Sequence, residues 1–268
     1  MCLVLLAFRA CAVADVLLVG NRDEDYLRPS APPAPLSRTP WLFGGQDLQA
    51  QGTWLAVNAQ GMVAALTNRY RPPQANDAEL RSRGEIIPRL LAHTSPDAAA
   101  QWLTGLDARL YRPFALLFGN AQQFFCYDPH PQTLNAPVLQ ALAPGCYALA
   151  NTHLNDRSWP KVAQGLVTLE QALRLDAPQA LQAIKAYMRS TQPQGPESTP
   201  PPGFTHDPRT TPLIRGQRYG TVSSAIISLG GQLGNRFYFA DKPDLDNALQ
   251  HHAAPQDPYQ PLNAWPKG

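Results

Sequence analysis

Residues 2–25 read CLVLLAFRACAVADVLLVGNRDED, two short apolar runs with a polar break between them. Residues 3–8 and 16–19 are aliphatic and rich in branched side chains, as in strands buried on both faces, and the break at 9–15 is short enough for an antiparallel hairpin. With the turn centred near residue 12, paired positions sum to about 24, which sets Cys2 across from Arg22 to within a residue or two. The hairpin therefore carries Asn21, Arg22, Asp23 and Glu24 to the sheet end that holds Cys2.

Removal of Met1 would leave a thiol and a free α-amine on Cys2. The α-amine titrates at about 7.7–8.0 and a cysteine thiol near about 8.5, so at neutral pH the residue carries its own base. The other reading is a buried, inert thiol that follows the start. Alternation along a strand puts Asn21 and Asp23 on one face and Arg22 and Glu24 on the other, so the tetrad divides into two jobs. An arginine close to Cys2 would favour thiolate, and an aspartate close to the amine would orient it. A salt-bridged turn at the end of a buried strand would use the same residues without chemistry. Acyl transfer also needs donors for an oxyanion. Asn68 and Asn151 both end expected strands and suit that task, though each also suits a turn. Thr152-His153 beside Asn151 offers a papain-like Cys–His alternative, less economical because Cys2 brings its own amine.

Farther along, five prolines in residues 27–40 read as an extended surface loop. Strands are expected at 41–43, 53–58 and 62–67, the last two joined through Ala59-Gln60-Gly61. Ser82-Arg83-Gly84-Glu85 has capping-box spacing before a helix with Ile86, Leu90 and Leu91 on its apolar face, and Ser95-Pro96 opens a second helix. Strands at 114–118, 122–127 and 146–151 precede helices at 160–173 and 177–188. Residues 192–212 hold seven prolines and no apolar periodicity, which reads as a long loop. Strands at 221–229 and 236–240 follow, and 251–268 reads as irregular surface chain. Hairpins separated by helix pairs indicate an α+β fold, two antiparallel sheets between helices in one domain, and no glycine-rich phosphate loop contradicts it.

Composition narrows the function classes. The 268 residues are 44% hydrophobic and 16% charged with a formal net charge of +2, which indicates neither a nucleic-acid stripe nor an acidic tail and points to small-molecule partners. Cys2, Cys11, Cys126 and Cys146 form no CxxC pair, and the six histidines show no HExxH spacing, so no metal site is expected and a reducing, cytoplasmic setting is. The apolar start lacks a basic region and is interrupted by Arg9 and Asp15, unlike a secretory signal, and no run reaches the roughly 18 residues of a membrane span. A single axial Cys or His leaves no spacing signature, so haem stays open. Phe204 and Tyr219, near loop prolines, could line a pocket for an acyl chain.

The segments MCLVLLAF, GNRDED, GGQDLQAQGTWLAVNAQGMVAALTNRY, SRGEI, LANTHLNDRSWPKV and RYGTVSSAIISL, in this order, resemble the NRDE family, also called the transport and Golgi organisation 2 family. That family is similar to N-terminal nucleophile hydrolases, whose fold is a four-layer αββα sandwich. The resemblance to cysteine members such as choloylglycine hydrolase and penicillin V acylase implies cleavage of a carbon–nitrogen amide bond. It implies catalytic roles for Cys2, Arg22, Asp23, Asn68 and Asn151, with Asn21, Glu24, Trp54 and Tyr219 expected to contact substrate and no cofactor required. Eukaryotic relatives are linked instead to haem trafficking, acyl-coenzyme A or lipid metabolism and Golgi organisation, which implies a carrier for haem or acyl-coenzyme A as the alternative. Many relatives carry Arg where this chain has Val222.

Overall fold

The chain runs through β1 (Leu3–Phe8), β2 (Val16–Asp25), β3 (Ser30–Arg38), β4 (Trp41–Asp47), β5 (Leu55–Asn58) and β6 (Val63–Asn68), then helices α1 (Ile86–Leu91) and α2 (Pro96–Thr104). β7 (Phe114–Gly119), β8 (Phe124–Tyr127), β9 (Leu139–Ala141) and β10 (Gly145–Leu149) follow, then α3 (Pro160–Ala172), α4 (Ala177–Met188), β11 (Tyr219–Leu229), β12 (Arg236–Asp241) and β13 (Gln260–Leu262). The structure, a computed structural model, describes residues 2–70, 79–130, 138–196, 198–241 and 260–262.

β1 and β2 form the expected hairpin, with Leu3 opposite Asn21 and Phe8 opposite Val16, so paired numbers sum to 24. β2 is longer than its apolar run. β11 pairs along its other edge from Val16 to Asp25, and this second ladder holds Asn21 to Glu24 inside the strand. A bulge between Thr221 and Ser223 leaves Val222 without a partner on β2.

All pairings between these strands are antiparallel. One sheet has the order β10-β1-β2-β11-β12-β13 and the other β3-β4-β5-β6-β7-β8-β9. Side-chain alternation makes three cores. Val4, Leu6 and Leu18 meet Val57, Val63 and Leu117 between the sheets. Leu3, Leu5, Leu17 and Val19 point the other way, onto Val162, Leu169 and Ile184 of α3 and α4. Ala64, Leu66 and Leu116 cover the far face of the second sheet beneath Ile86, Leu90 and Leu103 of α1 and α2. The result is the αββα sandwich, and each fully buried aliphatic side chain contributes about 1.5–3 kcal/mol to it. Among the described residues no helix is long and apolar enough to cross a membrane.

Helix starts follow the sequence signals. The Ser95 hydroxyl accepts from Ala98 N at 3.2 Å and the Asp176 carboxylate from Gln179 N at 2.9 Å, each ahead of a proline in the first turn. At Ser82 the geometry differs from a capping box. Ser82 Oγ accepts from Gly84 N at 3.3 Å in a tight turn over Arg83–Glu85 that precedes α1. That turn is held from outside, since Thr53 N donates to Gly84 O at 3.0 Å.

Three expectations need correction. Residues 27–40 are not all loop, because β3 lies within them, paired to β4 at the sheet edge with irregular register between Ala31 and Ala34 and between Pro35 and Ser37. An edge strand tolerates proline because one side needs no N–H donors. β9 was absent from the sequence reading, being three residues with two exposed. In the tail, β13 pairs with β12, while 251–259 and 263–268 lie outside the described residues. Residues 192–212 hold neither helix nor strand among those described, yet Asp207, Thr210 and Thr211 are buried there.

Candidate active site

The even-numbered face of β1 and β2 points between the sheets, and where their paired ends part a cavity of about 380 Å³ opens. Cys2, Arg22, Asp23, Glu24, Trp54 and Asn68 line it. All six were expected from the sequence to be catalytic or substrate-binding, and Trp54 enters from the loop before β5.

Arg22 is the best-held member. Its guanidinium lies 3.8 Å from Glu24 Oε2 and 3.7 Å from Asp47 Oδ2, and 4.3 Å from the centre of the Trp54 ring. Arg28 shares both carboxylates, at 2.7 Å from Asp47 Oδ2 and 3.8 Å from Glu24 Oε2. The Trp54 ring reaches this position over Gly45, where a Cβ would come within 2.5 Å of it. Burial lowers the Arg22 pKa, while Glu24 and the Cys2 sulfur oppose the shift by favouring its charge.

Asn21 and Asp23 take the opposite face, as alternation requires. Asn21 Nδ2 donates to the carbonyls of Met188 and Pro212, both at 2.9 Å, so its amide ties β2 to the end of α4 and the chain before β11. Asn21, expected to contact substrate, also lines a smaller pocket with Cys2 and Trp54. Asp23 Oδ1 accepts from Thr221 Oγ1 at 2.6 Å, and Thr221 Oγ1 accepts from Ile214 N at 2.9 Å. Tyr219 Oη donates to the Asp23 carbonyl at 2.7 Å. Tyr219, expected to contact substrate, thus braces Asp23 and is not among the residues lining this cavity.

Behind Asp23 stands Lys161, in the first turn of α3, fully buried and with no hydrogen-bond acceptor for Nζ among the described residues. Burial raises the Asp23 carboxyl pKa, and the Lys161 charge and Thr221 hydroxyl hold it back. Burial lowers Lys161 in turn, against the pull of Asp23 and Cys2. The Cys2 thiol, 8% exposed, is raised first by burial and also by Asp23, with an Asp23 backbone N–H and Arg22 acting the other way.

The two asparagines are not equivalent. Asn68 lines the cavity, whereas Asn151 Nδ2 donates to the Asn68 carbonyl at 2.6 Å and its own carbonyl accepts from Tyr70 N at 2.9 Å. Asn151 therefore clamps the end of β6 to the end of β10. His153 faces Asp156, with Nδ1 3.5 Å from Oδ2, and does not line the cavity.

Sequence reasoning missed Lys161 and the arginines of the cavity mouth, Arg28, Arg81, Arg83 and Arg112. Arg83 was hidden inside a segment read as a helix start. Lys161 follows the Trp159-Pro160 helix opening, where a lysine reads as solvated.

Against known proteins, the sequence pattern of Transport and Golgi organisation 2 matches residues 1–241. The human Transport and Golgi organization protein 2 homolog (Homo sapiens) is 25% identical over 253 residues, covering 88% of this chain and 89% of that one. The mouse (Mus musculus) homolog is 29% identical over 157 residues, 56% of this chain and 55% of the mouse protein. Among solved structures, penicillin V acylase from Agrobacterium tumefaciens superposes with a TM-score of 0.51 at 10% identity, covering 90% of this chain and 83% of that one. At that identity the likeness is one of fold, the α+β sandwich of N-terminal nucleophile hydrolases, consistent with the two antiparallel sheets above. A family pattern matched across the strands that carry Cys2, the Asn21 to Glu24 tetrad, Asn68 and Asn151 settles the relationship: the chain belongs to the transport and Golgi organisation 2 family.

Proposed function

We propose that this chain is an N-terminal-cysteine hydrolase acting on a carbon–nitrogen amide bond of a small molecule, with Cys2 as nucleophile after Met1 is removed. The observation that carries the reading is that Cys2, Arg22, Asp23 and Asn68 line one cavity. In this reaction the α-amine of Cys2 takes the thiol proton and sulfur attacks the amide carbonyl. A C–S bond forms, and the carbonyl oxygen takes the negative charge beside Asn68. Collapse breaks the C–N bond, and the amine departs with the proton held by the α-ammonium. Water, deprotonated by the same amine, then opens the thioester and releases the acid. Asp23 orients the ammonium, Arg22 favours the thiolate, and Asn151 positions Asn68. The four free cysteines fit a reducing, cytoplasmic setting.

The test joins intact mass, a pH series of thiol alkylation and an amide screen. Loss of Met1, alkylation of Cys2 ahead of Cys11, Cys126 and Cys146, and turnover abolished in Cys2→Ala are the expected results. Full activity in Cys2→Ala overturns the reading.

The alternative is a carrier that reuses the cavity without turnover. Haem does not suit it, since a macrocycle needs an apolar slot and this lining is dense in arginine and carboxylate. Acyl-coenzyme A remains compatible, because its phosphates complement the arginines. Saturable binding of acyl-coenzyme A without turnover of any amide would favour the carrier.

A further inference from the structure

Five arginines line the Cys2 cavity, and they differ in what balances them. Arg22 and Arg28 share Glu24 and Asp47. Arg81 holds Glu85, at 2.5 Å. Arg112 has a partner of its own. Arg83 is the exception: among the described residues it forms no ion pair, and its one hydrogen bond runs from Nη1 to the carbonyl of Pro113 at 3.0 Å. A guanidinium has five N–H donors, so most of its hydrogen-bonding capacity remains unspent.

The backbone that presents Arg83 is fixed. Thr53 N holds the Gly84 carbonyl at 3.0 Å, and Gly52 packs so closely that a Cβ there would lie 2.5 Å from the Gly84 carbonyl carbon. Arg83 therefore projects from a turn locked against the Trp54 loop. Its environment is unfavourable to a lone cation. Partial burial, and then the charge of Arg112, bring its pKa down to about 10 against the pull of the Cys2 sulfur and Glu24, which leaves it charged at neutral pH. A half-buried, charged, preorganised fork beside a second cation is stabilised by an anion from outside the chain.

We propose that Arg83 is an anion subsite of the Cys2 cavity, so that the molecule bound beside Cys2 carries a carboxylate or a phosphate group that pairs with this guanidinium. The inference rests on the Cys2 cavity being the substrate site but not on turnover there. Both groups offer two oxygens at the spacing of the guanidinium fork, and a neutral amide does not. A purely structural Arg83, kept to hold the Pro113 carbonyl, would have no preference among such ligands.

The experiment is calorimetry on full-length Cys2→Ala protein with three ligands of matched chain: N-octanoylglycine, the phosphate ester of N-octanoylethanolamine, and neutral N-octanoylglycinamide. At least one anion is expected to bind about tenfold or more tighter than the neutral amide, as one charge-assisted pair provides. Which anion binds tighter identifies the group. Adding Arg83→Gln is expected to erase the preference while leaving the neutral ligand's affinity unchanged. If that protein does not fold, Arg83→Lys is read in its place, with severalfold weaker anion binding expected because the charge stays and the fork is lost. Equal binding of the three ligands, binding of none, or a preference that survives the Arg83 substitution overturns the proposal. Hydrolysis is scored separately on the Cys2 protein, so an anion preference without turnover would sink the hydrolase reading and leave the subsite standing.

Discussion

Lys161 buries an ammonium completely, an expensive placement unless its charge acts on a neighbour, and its neighbours by field are Asp23, Cys2 and Asp207. Burial already raises Asp23, and Lys161 opposes it. Removing the cation in Lys161→Met lets Asp23 rise further, so its carboxylate is lost at higher pH, and it also withdraws support from the Cys2 thiolate. Both effects have the same sign. The pH profile of Cys2 alkylation should move to higher pH in Lys161→Met; a variant that loses stability but keeps the profile would mean that Lys161 only fills space. Gly45 poses a steric question at the same scale. In Gly45→Ala the new methyl meets the Trp54 ring at 2.5 Å, so the ring must leave its place over Arg22. Overpacking of this kind costs about 1–3 kcal/mol, which a urea midpoint will show, and Cys2 alkylation should slow as Arg22 loses its platform.

At the scale of elements, the segment 192–212 is the informative one. Its prolines leave no helix or strand among the described residues, and side-chain bonds add to backbone ones such as Gln194 N to the Thr210 carbonyl at 3.0 Å. Asp207 is the centre: its carboxylate takes Arg209 Nη2 at 2.6 Å and Ser198 Oγ at 2.6 Å, and Thr210 Oγ1 bonds its carbonyl at 2.7 Å. Burial pushes the Asp207 carboxyl up, but Arg209 and Ser198 outweigh it and hold the pKa at about 2, below the ordinary 3.8. A depressed carboxylate pKa means that the unfolded chain binds the proton first as pH falls. The stabilisation is therefore complete above about pH 4 and lost as pH falls through about 2. Asp207→Asn should cost about 2 kcal/mol at pH 7, and its deficit relative to the parent should shrink between pH 4 and pH 2, read from urea unfolding at each pH.

For the whole molecule, stability concentrates where the two sheets meet. Leu18 is fully buried at the middle of the first sheet, opposite Leu6 on β1 and Ile227 on β11. Leu18→Ala removes a side chain from the shared core and should cost about 3 kcal/mol, seen as a lower urea midpoint with unchanged slope. Leu36, partly buried on edge strand β3, has fewer close-packed neighbours to lose, so Leu36→Ala should cost well under half as much. Similar losses at the two positions would mean that the edge is as integral to the cooperative unit as the centre.

The sequence by itself determined whatever depends on local period and turn chemistry. The apolar runs and the short break between them set the β1–β2 register, and alternation alone divided Asn21 and Asp23 from Arg22 and Glu24. Proline at 192–212 excluded helix and strand, though proline at 27–40 did not exclude an edge strand, because an edge leaves one side of the ladder unpaired. What only the tertiary structure decided are the contacts between residues far apart in the chain. Thr221 reaches Asp23 across 198 residues and Asn151 reaches the Asn68 carbonyl across 83, and these closures separate a cavity-lining asparagine from its clamp and make Thr221 a brace for Asp23. Charge balance was hidden for the same reason. That Arg22 pairs with two carboxylates and Arg83, among the described residues, with none depends on how β4, the Gly52 loop and the Ser82 turn pack together, and a linear order of residues does not encode such distances.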